Sequence, residues 1–308
     1  MPKIIVSSVS FSRHPGLRRE LLAHYPDAVF CPGEDILAGQ ALIDLLRGAD
    51  GAIVGMEQVN EELLSALPQL KIVAKYGVGL DNVDQEACAR HGVAVGWTGG
   101  VNARSVAEMT LCFMLGLCHN MFKTAHLLRG GTWHKRGGVL LGGRTVGIIG
   151  LGHIGQDLTR LLAPLGCHII ANDIADRSAF CREWNVEAVD KESLYARADI
   201  VTLHVPLTPL TRRLINSETL AKIKPGAMLI NTSRGPVVEQ AALQAALTSG
   251  HLGGAALDVF DPEPPTDSVF LELPTLVATP HIGGNSEEAV LAMGRSAIRH
   301  ILEYFAPR

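Results

Sequence analysis

Short apolar runs alternate with amphipathic segments along most of the chain. In the first hundred residues the apolar runs predict strands at 3–9, 28–31, 51–54, 71–75 and 93–95. The segments between them, where apolar residues recur every three or four positions, predict helices at 16–24, 39–47, 61–66 and 85–91. Strands and helices that alternate in this way predict a parallel sheet covered by helices on both faces.

The same alternation resumes after a long helical segment. Residues 102–128 predict one helix, with Ser105 as its N-cap and Glu108 at the capping-box position. Further strands are predicted at 145–149, 167–172, 200–204, 227–231, 255–259 and 275–278, and the last helix is predicted at 286–305. The pattern therefore predicts the α/β class, with two doubly wound parallel sheets in one chain.

Composition narrows the class of protein. A chain of 308 residues, 47% hydrophobic and 19% charged, is large enough for two domains with cores of their own. Its net charge of −4 lacks the basic footprint of a nucleic-acid-binding protein, and the apolar segment 109–118 is too short to cross a bilayer. The N-terminal apolar run is too short for a signal peptide. We therefore expect a cytoplasmic protein without nucleic-acid or membrane partners. Its six cysteines show no metal-ligand spacing, so no metal site is expected.

A glycine-rich turn follows the strand predicted at 145–149. The sequence Gly150-Leu151-Gly152-His153-Ile154-Gly155 lies between that strand and a helical segment, as in a dinucleotide-binding fingerprint. Gly150 permits the tight turn, Gly152 lets the backbone approach a pyrophosphate, and Gly155 lets the helix pack closely on the sheet. The first N–H groups of the helix would bind the phosphates.

An acidic residue ends the next predicted strand. Asp173 lies 18 residues after Gly155. A carboxylate at this position accepts hydrogen bonds from the adenosine ribose and repels a 2′-phosphate. The sequence therefore predicts NAD rather than NADP as the cofactor, although Arg177 lies only four residues further on.

Charged residues follow three later strands directly. Arg234 comes after the strand at 227–231, Asp258 and Glu263 follow the apolar run 255–257, and His281 follows the strand at 275–278. Ligands of open α/β sheets bind outside the carboxyl ends of the strands, so these side chains are expected to converge on one crevice. Any one of them alone could be an ordinary surface residue. Their combination with the fingerprint favours catalysis.

The chemistry of these residue types suits hydride transfer between an alcohol and nicotinamide. The reaction needs a group that takes or gives the hydroxyl proton, and histidine does both near neutral pH. Glu263 behind the imidazole of His281 would fix its tautomer and stabilise the imidazolium. Arg234 offers a planar fork to a substrate carboxylate and to the reacting oxygen.

The ordered motifs of the chain resemble those of the D-isomer-specific 2-hydroxyacid dehydrogenases, most closely the branch with phosphoglycerate and glycerate dehydrogenases. The motifs are the segments 75–84, 105–108, 150–155, 203–211, 231–238, 257–264 and 279–283. This resemblance implies that Arg234, Glu263 and His281 are the catalytic set. The residues implied to bind substrate are Tyr76, Gly77, Val78 and Gly79, together with Arg234 and His281. The residues implied to contact NAD are Gly150, Gly152, His153, Ile154, Gly155, Asp173, His204, Val205, Pro206, Thr211, Thr232, Ser233, Arg234, Asp258, His281 and Gly283.

The resemblance also implies a domain organisation. Residues 1–100 and 285–308 would form a discontinuous, flavodoxin-like substrate-binding domain. Residues 101–284 would form a Rossmann-type NAD-binding domain inserted into it. Members of the family bind substrate in the cleft between the domains and usually dimerise through the cofactor domain. We therefore expect a homodimer.

The substrate is less closely defined. Phosphoglycerate dehydrogenases tend to have an arginine where this chain has Gly55, followed by the acidic Glu57, although Lys75 or Arg104 could substitute for it. Glu263 in place of a glutamine argues against formate dehydrogenase activity. Because the sequence stops at Arg308, a C-terminal serine-sensing domain is not expected. We predict an NAD-dependent dehydrogenase of a small D-2-hydroxy acid or its 2-oxo acid, similar to glyoxylate or hydroxypyruvate. The alternatives are a D-3-phosphoglycerate dehydrogenase and an NAD-sensing binding protein of the co-repressor type.

Overall fold

The computed structural model describes residues 1–135 and 137–307, which fall into two compact units. The first unit comprises Met1–Asn102 and Glu287–Arg308, of which Arg308 lies outside the described residues, and the second comprises Ala103–Ser286. Each unit is built on a parallel sheet of its own.

Strands and helices alternate in the first unit, as the apolar pattern predicts. Its strands are β1 (Ile4–Val6), β2 (Val29–Phe30), β3 (Gly51–Val54), β4 (Ile72–Lys75) and β5 (Ala94–Gly96). The helices that connect them are α1 (Val9–Arg13), α2 (Pro15–His24), α3 (Gly39–Leu46), α4 (Glu61–Ala66) and α5 (Gln85–Arg90). Asn60 and Asp84 cap α4 and α5, because each side chain accepts a hydrogen bond from a backbone N–H of the first turn.

The second unit repeats this alternation. Its helices are α6 (Ala103–Cys118), α7 (Met121–Arg129), α8 (His153–Leu162), α9 (Ser178–Glu183), α10 (Lys191–Arg197), α11 (Ser217–Lys222), α12 (Gln240–Thr248) and α13 (Ser268–Leu271). Its strands are β6 (Thr145–Ile149), β7 (His168–Asn172), β8 (Glu187–Ala188), β9 (Ile200–Leu203), β10 (Met228–Asn231), β11 (Gly254–Leu257) and β12 (Leu276–Ala278). The chain then returns to the first unit with α14 (Glu287–Phe305).

The described strands of the first unit form a five-stranded sheet in the order β2-β1-β3-β4-β5, with every pair parallel. This is the flavodoxin-like order of a doubly wound fold. The register places Val54 opposite Lys75, so β3 and β4 end at the same edge. Met293, Ala297 and Ile301 of α14 are buried in the core of this unit. The last helix is therefore part of the first unit and not a separate appendage.

The described strands of the second unit form a seven-stranded parallel sheet in the order β12-β11-β10-β9-β6-β7-β8. The order reverses between β6 and β9, which is the switch point of a Rossmann fold. The predicted α/β class with two doubly wound parallel sheets is therefore confirmed. The prediction of six strands missed β8, whose two residues are exposed and give no apolar signal.

The long helix predicted at 102–128 is wrong, because the chain breaks into α6 and α7. Asn120, between them, takes a left-handed conformation with φ +52°, which asparagine tolerates better than most residues. The ring of Phe122 then folds back onto Gly116, where a Cβ would collide with it. Ser105 lies inside α6 instead of capping it, and its hydroxyl donates to the Gly283 carbonyl at 2.6 Å.

Neither helix of this pair is long and apolar enough to cross a bilayer by itself, and the same holds for every other single helix in the described residues. The pair α6 and α7 meets that criterion only when its two members are counted together across a 66° bend.

Candidate active site

The glycine fingerprint forms the turn from β6 into α8. Gly150 has φ +97°, and a Cβ there would collide with the His204 carbonyl oxygen. A Cβ on Gly155 would collide with the Gly150 carbonyl oxygen, whereas a Cβ on Gly152 would meet no atom within 4 Å. Gly150 and Gly155 are therefore needed for the turn itself. Gly152 leaves room for a ligand to approach the backbone at the start of α8, where the first-turn N–H groups lack helical partners.

Asp173 follows β7 and is tied to this turn. One carboxylate oxygen accepts from Leu151 N at 2.7 Å, and the other accepts from Ala175 N at 2.7 Å. Arg177 Nε lies 3.6 Å from the first of these oxygens. Asp173 and Arg177 line an open cavity of about 360 Å³ beside the fingerprint. The arrangement fits the predicted contact with an adenosine ribose.

His204, directly after β9, faces the same switch point. Burial lowers the pKa of its imidazole to about 3, so the ring is neutral at physiological pH. Its Nε2 lies 2.9 Å from Thr202 Oγ1, and its Nδ1 has no partner within residues 1–135 and 137–307. A neutral imidazole carries no positive charge that could attract a pyrophosphate. Phosphate binding would therefore depend on the N–H groups of α8.

The other predicted contacts near the fingerprint lie in two short segments. The hydroxyl of Thr211 donates to Pro206 O at 2.6 Å and accepts from Thr208 N at 2.8 Å, so it shapes its own loop. Three further residues lie at the carboxyl ends of β6 and β9, namely His153 and Ile154 in the first turn of α8, and Val205 after His204.

The turn after β10 is organised by Asn231, which the sequence analysis did not single out. This fully buried side chain accepts from Ser233 N at 3.0 Å and from Ser233 Oγ at 2.7 Å, and it donates to Arg234 O at 2.8 Å. Thr232 Oγ1 lies 3.1 Å from Thr110 Oγ1 of α6. The sequence signal was present, because asparagine two residues before a serine favours such a turn. Asn231 therefore fixes the backbone from which Arg234 projects.

Asp258, 2% exposed, organises the loop that carries His281. One carboxylate oxygen accepts from Thr279 Oγ1 at 2.6 Å and from Ile282 N at 2.9 Å. The other accepts from Gly283 N at 2.7 Å. The backbone on both sides of His281 is thus tied to one buried carboxylate. This positioning role was not expected, since Asp258 was predicted only to contact the cofactor.

His281 and Glu263 form a direct pair. His281 Nδ1 lies 2.7 Å from Glu263 Oε2, while Glu263 Oε1 accepts from Phe260 N at 2.9 Å. The backbone of His281 is left-handed, with φ +55°. Its Nε2 has no partner in the described part of the chain, and 38% of the side chain is exposed. The structure therefore brings these two predicted catalytic residues together.

The charge on Glu263 decides which histidine nitrogen can exchange a proton. Burial raises the pKa of Glu263. The hydrogen bonds from His281 and Phe260 N and the nearby charge of Arg234 lower it by more than burial raises it, so the pKa lies below its usual value. Glu263 is therefore ionised at neutral pH and can only accept. The neutral imidazole must carry its proton on Nδ1, which leaves the lone pair on Nε2 facing outward.

Replacing Glu263 with glutamine is expected to lower the pH above which 2-oxo acid reduction declines. Reduction needs imidazolium at His281, and the Glu263 carboxylate, 2.7 Å from Nδ1, stabilises that positive charge. Glutamine keeps an oxygen for Nδ1 but removes the charge. The measurement is kcat/KM between about pH 5 and pH 10, with Glu272→Gln, an exposed position, as the control. An unchanged profile would show that the pair does not act in proton transfer.

The predicted substrate loop lies in the first unit, directly after β4. The N–H groups of Gly77, Val78 and Gly79 have no acceptor among residues 1–135 and 137–307. Tyr76 points its ring into the core, edge-on to Phe11 at a centroid distance of 5.8 Å, and burial raises the pKa of its phenol. Only the backbone of this loop can therefore bind an anion, as adjacent free N–H groups do.

A dinucleotide cradle and a histidine–carboxylate pair on one Rossmann-type sheet define the class of dinucleotide-dependent oxidoreductases. Residues 111–283 match the model of the D-isomer specific 2-hydroxyacid dehydrogenase, NAD binding domain. The chain belongs to the D-isomer specific 2-hydroxyacid dehydrogenase family. Within the described residues no group of three or more His, Cys, Asp or Glu side chains could hold a metal ion.

Individual relatives support the same family. The chain is 42% identical to D-3-phosphoglycerate dehydrogenase of Mycobacterium tuberculosis (strain ATCC 25618 / H37Rv) over 80% of its own length and 48% of that protein. It is 38% identical to hydroxypyruvate reductase of Thermotoga maritima, over 80% and 81% of the two chains. The structure of the pyruvate reductase of Chlamydomonas reinhardtii superposes with a TM-score of 0.83 at 30% identity, covering 98% and 95%.

This chain thus spans about half the length of the D-3-phosphoglycerate dehydrogenases that it matches. The family match confirms the predicted family, and its NAD-binding description confirms the predicted cofactor.

Proposed function

We propose that this chain is an NAD-dependent dehydrogenase that interconverts a small D-2-hydroxy acid and its 2-oxo acid. The observation that carries the proposal is the 2.7 Å contact between His281 Nδ1 and Glu263, which leaves Nε2 available at the edge of the sheet that bears the fingerprint. When bound in the cradle at the start of α8, NAD would supply the acceptor for the hydride that leaves C2 of the hydroxy acid. The named relatives act on substrates of the same chemical type.

The protein's own side chains supply proton transfer and charge. His281 Nε2 takes the hydroxyl proton during oxidation and returns it during reduction. Glu263 stabilises the imidazolium that forms. Arg234 polarises the reacting oxygen and holds it by charge-assisted hydrogen bonds. Asn231 and Asp258 keep the two loops that bear these groups in place.

The two units are assigned matching roles. In the proposed organisation, residues 1–100 and 285–308 bind substrate, with the N–H groups of the loop after β4 holding the carboxylate. Residues 101–284 bind NAD. The match of residues 111–283 to the family's NAD-binding domain supports this division.

The first unit favours a substrate without a charged group at C3. A Cβ on Gly55 would lie only 2.8 Å from Ser8 Oγ, so an arginine there would displace Ser8. Both cations that could replace it are engaged. Lys75 is 4% exposed and donates to Gly55 O, and Arg104 Nη2 donates to Asp157 Oδ1 at 2.8 Å. We therefore favour glyoxylate or hydroxypyruvate as the oxo acid.

D-3-phosphoglycerate oxidation is the second candidate, because the 42% identity to phosphoglycerate dehydrogenases favours it. A panel of oxo acids with NADH separates the two. We expect kcat/KM for glyoxylate or hydroxypyruvate to exceed that for 3-phosphohydroxypyruvate by at least about tenfold, the usual scale for one unmatched charged group. The reverse order would favour phosphoglycerate. Absence of turnover on every acid, with tight NADH binding, would favour an NAD sensor. His281→Asn controls for contaminating activity.

We also propose a homodimer formed through the NAD-binding unit. Leu115, Met121 and Leu128 of α6 and α7 are exposed, as are Trp133 at 76% and Leu140 at 71% in the segment that follows. Large apolar side chains left exposed along one segment of the chain are typical of an interface. Sedimentation equilibrium should give a dimer that Trp133→Ser weakens, whereas a monomer at micromolar concentration would refute the proposal. A cytoplasmic location without nucleic-acid or membrane partners remains a prediction from composition.

A further inference from the structure

A buried pair of opposite charges lies beneath the loop at residues 77–79. Lys75, the last residue of β4, is 4% exposed, and Glu57, just beyond β3, is 1% exposed. Removing a lysine and a glutamate from water is costly unless both are held by hydrogen bonds and by each other's charge. The reaction chemistry proposed above uses neither side chain. Their retention at this edge of the sheet therefore calls for another explanation.

The lysine joins the two ends of the loop. Its Nζ donates to Gly55 O, at the end of β3, and to Asn82 Oδ1 at 2.6 Å. Asn82 Nδ2 in turn donates to the same Gly55 carbonyl at 3.0 Å and to Glu57 O at 2.5 Å. Glu57 closes the network, because its Oε2 accepts from Gly55 N at 2.5 Å. Residues 75 and 82, on either side of the loop, are thus anchored to one carbonyl.

The lysine stem also supports the loop from below. Gly77 has φ +129°, and a Cβ on it would lie 3.4 Å from Lys75 Cε. From the other side, Trp97 Nε1 donates to Val78 O at 2.9 Å. The backbone is therefore held at both its core side and its outer side. The N–H groups of residues 77–79 remain without acceptors in the described part of the chain.

We propose that Lys75 is a positioning residue for the substrate carboxylate, an inference that rests on the proposed 2-hydroxyacid dehydrogenase function. Its ammonium sets the loop so that adjacent N–H groups face one anion, and it adds positive potential beneath them. Because the loop is already ordered, less conformational entropy is lost when the anion binds.

Lys75→Met keeps a stem of similar length beneath Gly77 and removes only the ammonium. We expect KM for the oxo acid, and the dissociation constant of oxalate measured by calorimetry with NADH present, to rise about tenfold or more, as for loss of a charge-assisted contact. The affinity for NADH should not change, and kcat should fall by less than about threefold. Lys71→Met is the matched control, because Lys71, directly before β4, is exposed and its Nζ donates to Asp50 Oδ1 at 2.8 Å, away from the loop.

A second variant separates the role of the ammonium from damage caused by leaving the buried Glu57 carboxylate without the lysine charge nearby. Glu57→Gln combined with Lys75→Met removes both buried charges, and neutral replacement of buried charges of opposite sign is commonly tolerated. We expect the double variant to unfold at or above the temperature of Lys75→Met while oxalate still binds about tenfold more weakly than to wild type. Wild-type oxalate affinity in the double variant would overturn the proposal. It decides the question even if Lys75→Met does not fold.

Failure of this inference can be told from failure of the proposed function. Turnover by wild type with oxalate affinity unaffected by Lys75→Met would refute the positioning role and leave the function intact. Oxalate binding that depends on Lys75, in a protein that turns over no oxo acid, would support the positioning role and refute the function.

Discussion

Replacing His281 is expected to lower kcat by about 100-fold or more, the usual scale for loss of a general acid–base group. Nδ1 of His281 contacts Glu263, and Nε2 is the ring nitrogen without a partner among the described residues. Without the imidazole, no side chain described in this loop can take the hydroxyl proton. Because the chemical step is lost and not the binding of NADH, the effect should appear in kcat with little change in the dissociation constant of NADH.

The choice of substitution matters, because His281 has φ +55°. Alanine in the left-handed region is strained, whereas asparagine adopts it more readily. His281→Asn therefore removes the imidazole and preserves the loop that Asp258 holds. His281→Ala should lose at least as much activity and some stability in addition. His168→Ala, at an exposed position at the start of β7, is the control. Turnover of His281→Asn within tenfold of wild type would refute the catalytic assignment.

Replacing Gly150 with alanine is expected to weaken NADH binding by about 100-fold or more. The residue has φ +97°, and an added Cβ would meet the His204 carbonyl, a backbone atom that cannot move away as a side-chain tip can. The turn must shift as a whole, and the N–H groups at the start of α8 move with it. Each tenfold loss corresponds to about 1.4 kcal/mol, so the expected penalty lies within the range of a strained backbone position.

Two other glycines separate the effect of backbone strain from the effect of lost space for the ligand. Gly166→Ala has the same kind of backbone strain, with φ +73°, but its Cβ would meet nothing within 4 Å, so stability should fall and NADH affinity should not. Gly152→Ala has open space around its Cβ and should fold normally. It should nevertheless bind NADH weakly, because the pyrophosphate is predicted to approach the backbone through that space. Calorimetric titration with NADH and thermal unfolding of each variant separate the two effects. Unaltered NADH binding by Gly150→Ala would contradict the assignment of this turn.

Much of the fold could be predicted because its strands are buried on both faces. Runs such as Gly51–Val54 and Thr145–Ile149 are almost wholly apolar and stand between polar segments, so their positions and their order along the chain are visible in the sequence. Errors arose where the local pattern carried little information. The exposed strand β8 has no apolar signal, and the apolar pattern continues through the break at Asn120.

The candidate site likewise contains residues that the sequence predicts and supporting residues that it does not predict. Gly150, Asp173, Arg234, Glu263 and His281 could be named because each follows a predicted strand in a distinctive local motif. Their supporting residues were harder to find. Nothing adjacent to Asp258 in the sequence indicates that its carboxylate holds Thr279, Ile282 and Gly283, more than twenty residues away. The two loops meet only because β11 and β12 pair in parallel and end at the same edge.

The buried Lys75 differs most from what its sequence position indicated. From sequence, Lys75 was a possible phosphate ligand, since a lysine near a substrate loop is normally a solvated cation. The tertiary structure turns its ammonium inward, onto Gly55 O and Asn82. The sequence by itself determined the order of most strands and helices, the fingerprint and the candidate proton-transfer residues, because these depend on local spacing and on side-chain chemistry. Only the tertiary structure decided which carboxylates and amides hold those residues in place. Such contacts join segments far apart in the chain, and local spacing carries no information about them.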